Sequence, residues 1–229
     1  MSGQMRLAES SVAVVGLGGL GSLISYYLAA AGVGRLVLVD GERVEKSNLN
    51  RQILYDSSDI GLPKAYLAAK RLRSLNPLVD YEPVASMVSR SNVEDVVGDV
   101  DVIVDALDDW RARLVLDEYS MKSGKPLVHG AVDGFYGQVT TIIPGKTSCL
   151  ACIAPRRIEA RGCRSALGAV VGIVASLEAL EVVKLLTGKG EPAANRLIVV
   201  DGFLGRLDEV ELKPVECSVC LSRIGAGQA

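Results

Sequence analysis

A single histidine and two phenylalanines serve all 229 residues. Aromatics make up only 4% of the chain, so Val, Leu, Ile and Ala must fill the core. With apolar residues at 49%, that core can be sizeable. The lone His129 stands at the end of a predicted strand, where packing is its simpler role, so a mechanism built on a histidine base has little support. Neither sign of charge dominates. The net charge is −2 with signs interspersed, which argues against a dedicated binder of nucleic acid or of a membrane surface. No basic segment precedes an apolar one at the start, so no signal peptide is read. The one long uncharged stretch, Ser10 to Gly34, has the length of a membrane span, but six glycines interrupt it at 16, 18, 19, 21, 32 and 34. It reads better as strand, turn and helix, in a soluble cytoplasmic protein. Cysteine is scarce too, at five. Four of these form two C-x-x-C pairs, Cys149/Cys152 and Cys217/Cys220, and without secretory signals such pairs suggest metal binding or catalysis over a disulfide framework.

The apolar pattern alternates between strand and helix. Val12 to Gly16, Leu36 to Asp40, Tyr81 to Val88, Val100 to Ala106 and Pro126 to Gly130 read as strands. Leu20 to Ala31, a segment from Pro63 to about Leu75, and Trp110 to Ser123 read as helices between them. This β-α alternation predicts a Rossmann-like, doubly wound, mainly parallel sheet. Beyond it, Gly137 to Pro144 alternates like a half-exposed strand, and Ser165 to Leu186 forms a long helix suited to the core or to a subunit interface. Arg196 to Asp201 and Arg206 to Lys213 flank a Gly-Phe-Leu-Gly turn as a hairpin, which extends the sheet with antiparallel strands. No repeat or low-complexity linker divides the chain, so residues 1–229 are expected to be one domain.

Chemistry concentrates at a few places. In VVGLGGLG, Gly16 permits a tight turn, Gly18 and Gly19 let the backbone approach phosphate, and Gly21 allows a helix to pack closely on the strand. The following helix N-terminus offers free N–H groups to an anion, and Asp40 at the tip of the second strand is placed for ribose hydroxyls. A glycine turn of this kind also serves plain packing, and it does not choose between nucleotides. Asn48-Leu49-Asn50-Arg51-Gln52 follows in a polar loop able to return over the phosphates, and Lys64 opens the next helix. Any one such cation is ordinarily a surface residue. Two of them converging on the same sheet end suggest a triphosphate rather than a dinucleotide. Asp108 is positioned to hold Mg²⁺ at the carboxyl edge of the sheet, while Asp108 or Asp109 is also a natural cap for the helix opening at Trp110.

The two C-x-x-C pairs, 64 residues apart, supply four thiolates for a closed tetrahedral Zn²⁺ site stapling 149–152 to 217–220. Two separate redox pairs are the other reading. Cys163 lies among Arg156, Arg157, Arg161 and Arg164, cations that favour a nucleophilic thiolate, although a lone thiol without chemistry also fits.

Taken together, VVGLGGLGS, VLVDGERVEKSNLNRQ, GLPKA, DALDD and the cysteine pairs resemble the ThiF/MoeB/HesA family of adenylating enzymes related to ubiquitin-activating enzymes, over about residues 11–220. The resemblance implies that ATP and Mg²⁺ activate the C-terminal glycine carboxylate of a ubiquitin-like or sulfur-carrier protein ending in Gly-Gly. It implies Gly16, Gly18, Gly19 and Asp40 around the nucleotide; Asn48, Arg51 and Lys64 on the phosphates; and Asp108 by the magnesium. It further implies Zn²⁺ on Cys149, Cys152, Cys217 and Cys220, a thioester or acyl-persulfide on Cys163, a crossover loop at about 153–165, and a homodimer. A separate sulfur donor or conjugating enzyme would complete any later transfer. Three departures stand out. Only a short segment precedes the first strand, so the family's N-terminal arginine looks absent unless Arg6 substitutes. Asp109 and Asp117 replace usual asparagines, adding charge near the triphosphate unless Arg111 or Arg113 pairs with them. No sulfurtransferase or ubiquitin-fold segment follows the second cysteine pair. An NAD-dependent oxidoreductase and a non-catalytic carrier-binding scaffold are the alternative functions.

Overall fold

Short β-branched runs, apolar on both faces, need cover on both faces, and helices supply it here. The computed structural model describes residues 2–153, 166–213 and 217. In β1 (Ser11–Val15) and β2 (Arg35–Val39) every residue after the first is buried. Alternation sorts them between two core layers. Val12, Val14, Leu36 and Leu38 pack toward α2 (Gly19–Ala31), α3 (Lys64–Leu75) and α7 (Gly168–Thr187). Ala13, Val15, Val37 and Val39 face α4 (Val93–Val97) and α5 (Trp110–Ser123).

β1, β2, β3 (Asp80–Val84), β4 (Val102–Asp105) and β5 (Leu127–Asp133) pair in parallel. β6 (Tyr136–Ile142), β7 (Arg196–Asp201) and β8 (Arg206–Glu211) then add antiparallel strands. The order is β3-β2-β1-β4-β5-β6-β7-β8. The mixed Rossmann-like sheet expected from the sequence is therefore present. The fifth strand runs three residues past its expected end because β6 folds back on it about Gly134, whose φ is +59. The third strand stops at Val84, four residues early.

Three short helices went unread: α1 (Gly3–Ala8), α4 and α6 (Leu150–Ile153). Each is under two turns, too brief for a periodic signal. Of these, α1 carries Arg6, the residue that would substitute for the family's N-terminal arginine. Arg6 donates to the Thr187 carbonyl at 2.7 Å, at the C-terminal end of α7. There the guanidinium meets the negative end of the helix dipole within its own chain.

In α7 the charged residues do not mark a solvated face. Glu181 is buried, accepting from Thr141 Oγ1 at 2.7 Å and the Ala193 amide at 2.6 Å, with Lys184 beside it. Glu178 is buried as well, whereas Ile173 and Leu180 are exposed. Among the described residues no helix is long and apolar enough to cross a membrane.

Candidate active site

Strand order reverses between β1 and β4, so the crevice at their carboxyl ends is where an open α/β sheet receives ligands. A cavity of about 650 Å³ lies there. Gly16 leaves β1 with φ +91, and a Cβ on it would stand 2.7 Å from the Ala106 carbonyl oxygen, so the turn into the cavity requires glycine. Gly18 and Gly19 line the cavity at the start of α2, where no side chain caps the first turn. That turn is thus left with amides for an anion.

Asp40 follows β2 on the floor. One carboxylate oxygen accepts from the Leu17 amide and the other from the Glu42 amide, both at 2.7 Å. Burial raises its pKa, against the pull of Lys64 and these two amides. The loop after it returns over the glycine turn. A Cβ on Gly19 would lie 3.6 Å from Cγ of Arg51. Arg51 anchors one nitrogen on the Ser47 carbonyl and the Asn50 side chain, both at 3.0 Å, and lines the cavity beside Asn48. Asn48 has its own oxygen committed to the Glu45 amide at 3.0 Å, which closes a capping box around a short helical turn. Lys64 opens α3 after Pro63 and is only 1% exposed, although no surface lysine needs such burial. Its Nζ reaches Glu42 at 2.6 Å on the cavity wall. Gln52, a neighbour with no assigned role in the sequence reading, is buried against this wall with Oε1 unpartnered.

The acidic run at the end of β4 divides its duties. Asp109 caps α5 by accepting from the Ala112 amide at 2.9 Å, while Asp108 lines the cavity. Asp117 stands elsewhere, which corrects the expectation of added charge near a triphosphate. It accepts from the Leu150 and Ala151 amides at 2.8 and 3.0 Å and so anchors the turn carrying Cys149 and Cys152. Burial raises its pKa, and those amides together with Cys149 oppose the rise. Neither Arg111 nor Arg113 pairs with it. Arg113 instead approaches Asp105 at 3.8 Å.

Beneath the cavity is a buried cluster that sequence reasoning missed. Asp105 and His129 are neighbours across β4 and β5, and Nδ1 of His129 lies 2.7 Å from the carboxylate. Arg113 donates to the Gly130 carbonyl at 3.0 Å and to the Leu107 carbonyl, and lies over the Trp110 ring at 5.3 Å. Burial works to raise Asp105, but Arg113 and His129 outweigh it and hold the carboxyl below its usual range. Burial lowers His129, which is therefore neutral. Glu178 comes from α7 onto the Gly130 backbone with neither oxygen partnered.

Burial pushes the Glu178 pKa well above its usual value, with Asp105 adding to the rise. The native state then holds a proton that the unfolded chain releases above about pH 4.3. Stability from this group is full below that pH and is lost as pH rises toward the native value, by up to about 1.4 kcal/mol per pH unit. Glu178→Met is expected to raise the urea midpoint at pH 8 and to change it little at pH 5. Equal shifts at both pH values would show that Glu178 does not titrate in this way.

At the other end of α5, Sγ of Cys149 lies 3.6 Å from Cys152 and 3.5 Å from Cys217. These three sulfurs lie within 4.8 Å of one another. Cys220 and Cys163 lie outside the described residues, as does the expected crossover loop from 154 to 165.

A glycine turn, a buried carboxylate and two cations lining one crevice of a Rossmann-like mixed sheet make a site suited to a polyanionic ligand. The ThiF family model matches residues 1–220, and the chain belongs to that family. It is 43% identical over 224 residues to the SAMP-activating enzyme E1 of Haloferax volcanii, covering 95% of this chain and 83% of that protein. It is 38% identical over 229 residues to the sulfur carrier protein adenylyltransferase of Thermus thermophilus, covering 95% and 84%. Among solved structures, Escherichia coli MccB with ATP superposes with a TM-score of 0.86 at 24% identity, over 95% of this chain and 68% of that one, a likeness of fold.

Proposed function

We propose that this chain binds ATP in the cavity and adenylates the C-terminal glycine carboxylate of a small ubiquitin-like or sulfur-carrier protein ending in Gly-Gly. The observation that carries the reading is the convergence of Arg51 and buried Lys64 on the glycine turn. The carboxylate oxygen attacks the α-phosphorus, the bond to the bridging oxygen breaks, and pyrophosphate leaves with the electron pair. Charge on the leaving group grows during this step. Arg51, Lys64 and the amides of the α2 N-terminus are fixed donors that stabilise it. Asp40 holds the ribose and Asn48 shapes the loop bearing Arg51. Asp108 is an exposed carboxylate with no described donor, a hard oxygen ligand suited to Mg²⁺, which would neutralise phosphate charge when bound.

Cys149, Cys152 and Cys217 suit Zn²⁺ by donor type and spacing, and Cys220 would complete the set. The metal would staple the C-terminal segment to α6, making residues 1–229 a single adenylation domain. The exposed Ile173 and Leu180 on α7 and Tyr26 and Tyr27 on α2, two helices that pack together, fit a homodimer interface in a cytoplasmic enzyme. A separate sulfur donor or conjugating enzyme would take the product onward.

Purified protein incubated with ATP, Mg²⁺, labelled pyrophosphate and a Gly-Gly-ending carrier is expected to exchange label only when the carrier is present. Tight ATP binding without exchange across many carriers would favour the scaffold reading. The short N-terminal segment and the Asp109 and Asp117 replacements favour that alternative, and of these the two aspartates do not line the cavity. Calorimetry with ATP and NADH separates the oxidoreductase reading, which leaves Arg51 and Lys64 unexplained. A thiol-sensitive carrier adduct is expected to vanish in Cys163→Ser while exchange persists. An adduct that survives in the variant would remove Cys163 from the pathway.

A further inference from the structure

The sheet order divides the cavity. Asp40, Lys64 and the glycine turn occupy the β2–β1 side. The opposite wall is built from β5, β6 and β7, where Ala131, Gln138 and Val199 are cross-strand neighbours and all line the cavity. A nucleotide seated on the first side leaves the second for the acyl donor. On that wall Ala131, Val132, Gly137 and Val199 have no side-chain acceptor, and Asp133 and Tyr136, which also line it, stand exposed at the β5–β6 turn. An extended glycine tail has no side chains to grip, so a site must recognise it through its backbone amides.

Gln138 is the half-buried exception, and its orientation is fixed from below. Nδ1 of His129 gives its proton to Asp105 at 2.7 Å, because a carboxylate there can only accept. The neutral ring then has Nε2 as an acceptor, and Gln138 Nε2 lies 3.3 Å from it. The amide nitrogen must therefore face the histidine, which turns the amide oxygen away from it. No described residue donates to that oxygen. Arg113, which can only donate, holds the Gly130 carbonyl and also lies 3.1 Å from Nδ1 and 3.4 Å from Nε2 of the ring, so it shares the Nε2 acceptor with Gln138.

We propose that Gln138 is the residue that binds the carrier's tail, accepting a peptide N–H of the terminal Gly-Gly on its amide oxygen, and that Asp105 and His129 are the positioning residues that aim it. This rests on the adenylation reading and adds to it the group that reads the second substrate. It also gives the only histidine a task beyond packing, through hydrogen bonds rather than proton transfer.

The test measures exchange while titrating a sulfur-carrier protein ending in Gly-Gly and a semisynthetic version with the tail glycines N-methylated. Gln138→Ala is expected to raise the carrier KM about tenfold, the loss of one hydrogen bond, with the ATP KM unchanged. Wild type should discriminate against the N-methylated tail by a similar factor, and Gln138→Ala should not discriminate further. His129→Leu should mimic Gln138→Ala and be non-additive with it, whereas His129→Gln, which keeps an acceptor within reach of Gln138, should recover most of the carrier KM. An unchanged carrier KM in Gln138→Ala, or equal discrimination by wild type and variant, overturns the assignment and leaves adenylation standing. Should wild type bind ATP yet show no carrier-dependent exchange, adenylation falls first and the assignment with it.

Discussion

Lys64→Ala is expected to lower carrier-dependent ATP–pyrophosphate exchange by about a hundredfold or more, the scale lost when a fixed transition-state donor is removed. Lys64 is 1% exposed; among the described residues its salt bridge is to Glu42, whose side chain is 58% exposed, and it also attracts the buried Asp40 carboxyl. The ammonium gives up most of its water for a salt bridge at the solvent edge. That arrangement is costly for a structural pair and reasonable for a cation awaiting a second, more highly charged partner. Removing it leaves Glu42 solvated and Asp40 still held by the Leu17 and Glu42 amides, so the fold should survive, which the urea midpoint checks. Arg51→Ala should reduce exchange comparably for a different reason. Its stem packs over Gly19, and among the described residues its guanidinium is anchored through one nitrogen, leaving the rest of the fork for phosphate. Undiminished exchange in both variants would remove these residues from the site.

The expectations that succeeded rested on patterns long enough to carry a period or a motif. Val12–Val15 and Leu36–Val39 are buried on both faces, and a continuous apolar run says so directly. The glycine turn was legible because φ +91 at Gly16 is a demand that only certain residues meet. The β5–β6 hairpin was legible as well, since Asp133-Gly134 is an Asp-Gly turn signature, but it stands inside one unbroken run with the fifth strand and went unread. What stayed invisible was pairing between side chains distant in sequence. Nothing near Asp117 tells that its carboxylate holds amides 33 and 34 residues away. An asparagine-to-aspartate change beside a supposed phosphate site reads as a liability until that distance is closed. Likewise, His129 as a strand-end histidine looks like packing. Only the register that sets it opposite Asp105, with Gln138 diagonal to it, gives it a direction. The helix bearing Glu178 reads as a core or interface helix, and Glu178, fully buried in its middle, is part of that core.

Gly21→Ala is expected to cost about 4 kcal/mol or more, a large share of the 5–15 kcal/mol that holds a typical domain together. A Cβ at position 21 would stand 1.7 Å from the Gly16 carbonyl oxygen, 2.8 Å from its carbon and 3.2 Å from Cβ of Ala106. The obstacle is backbone, so no rotamer change relieves it. Either α2 must lift from β1, opening the layer formed by Ile24, Leu28 and the strands beneath, or Gly16 must move. Gly16 has little freedom, since its own amide is bonded to the Val39 carbonyl at 2.8 Å and Ala106 lies against it. Any relaxation therefore displaces the turn that lines the cavity, so protein that does fold should also bind ATP weakly. Gly172→Ala supplies the contrast. That glycine is also helical, but a Cβ there meets nothing within 4 Å. It should gain helix propensity and stabilise by up to about 1 kcal/mol. Urea denaturation of the two variants beside wild type reads both effects. A Gly21→Ala protein of near wild-type midpoint would mean that α2 does not rest on the phosphate turn as closely as the structure has it.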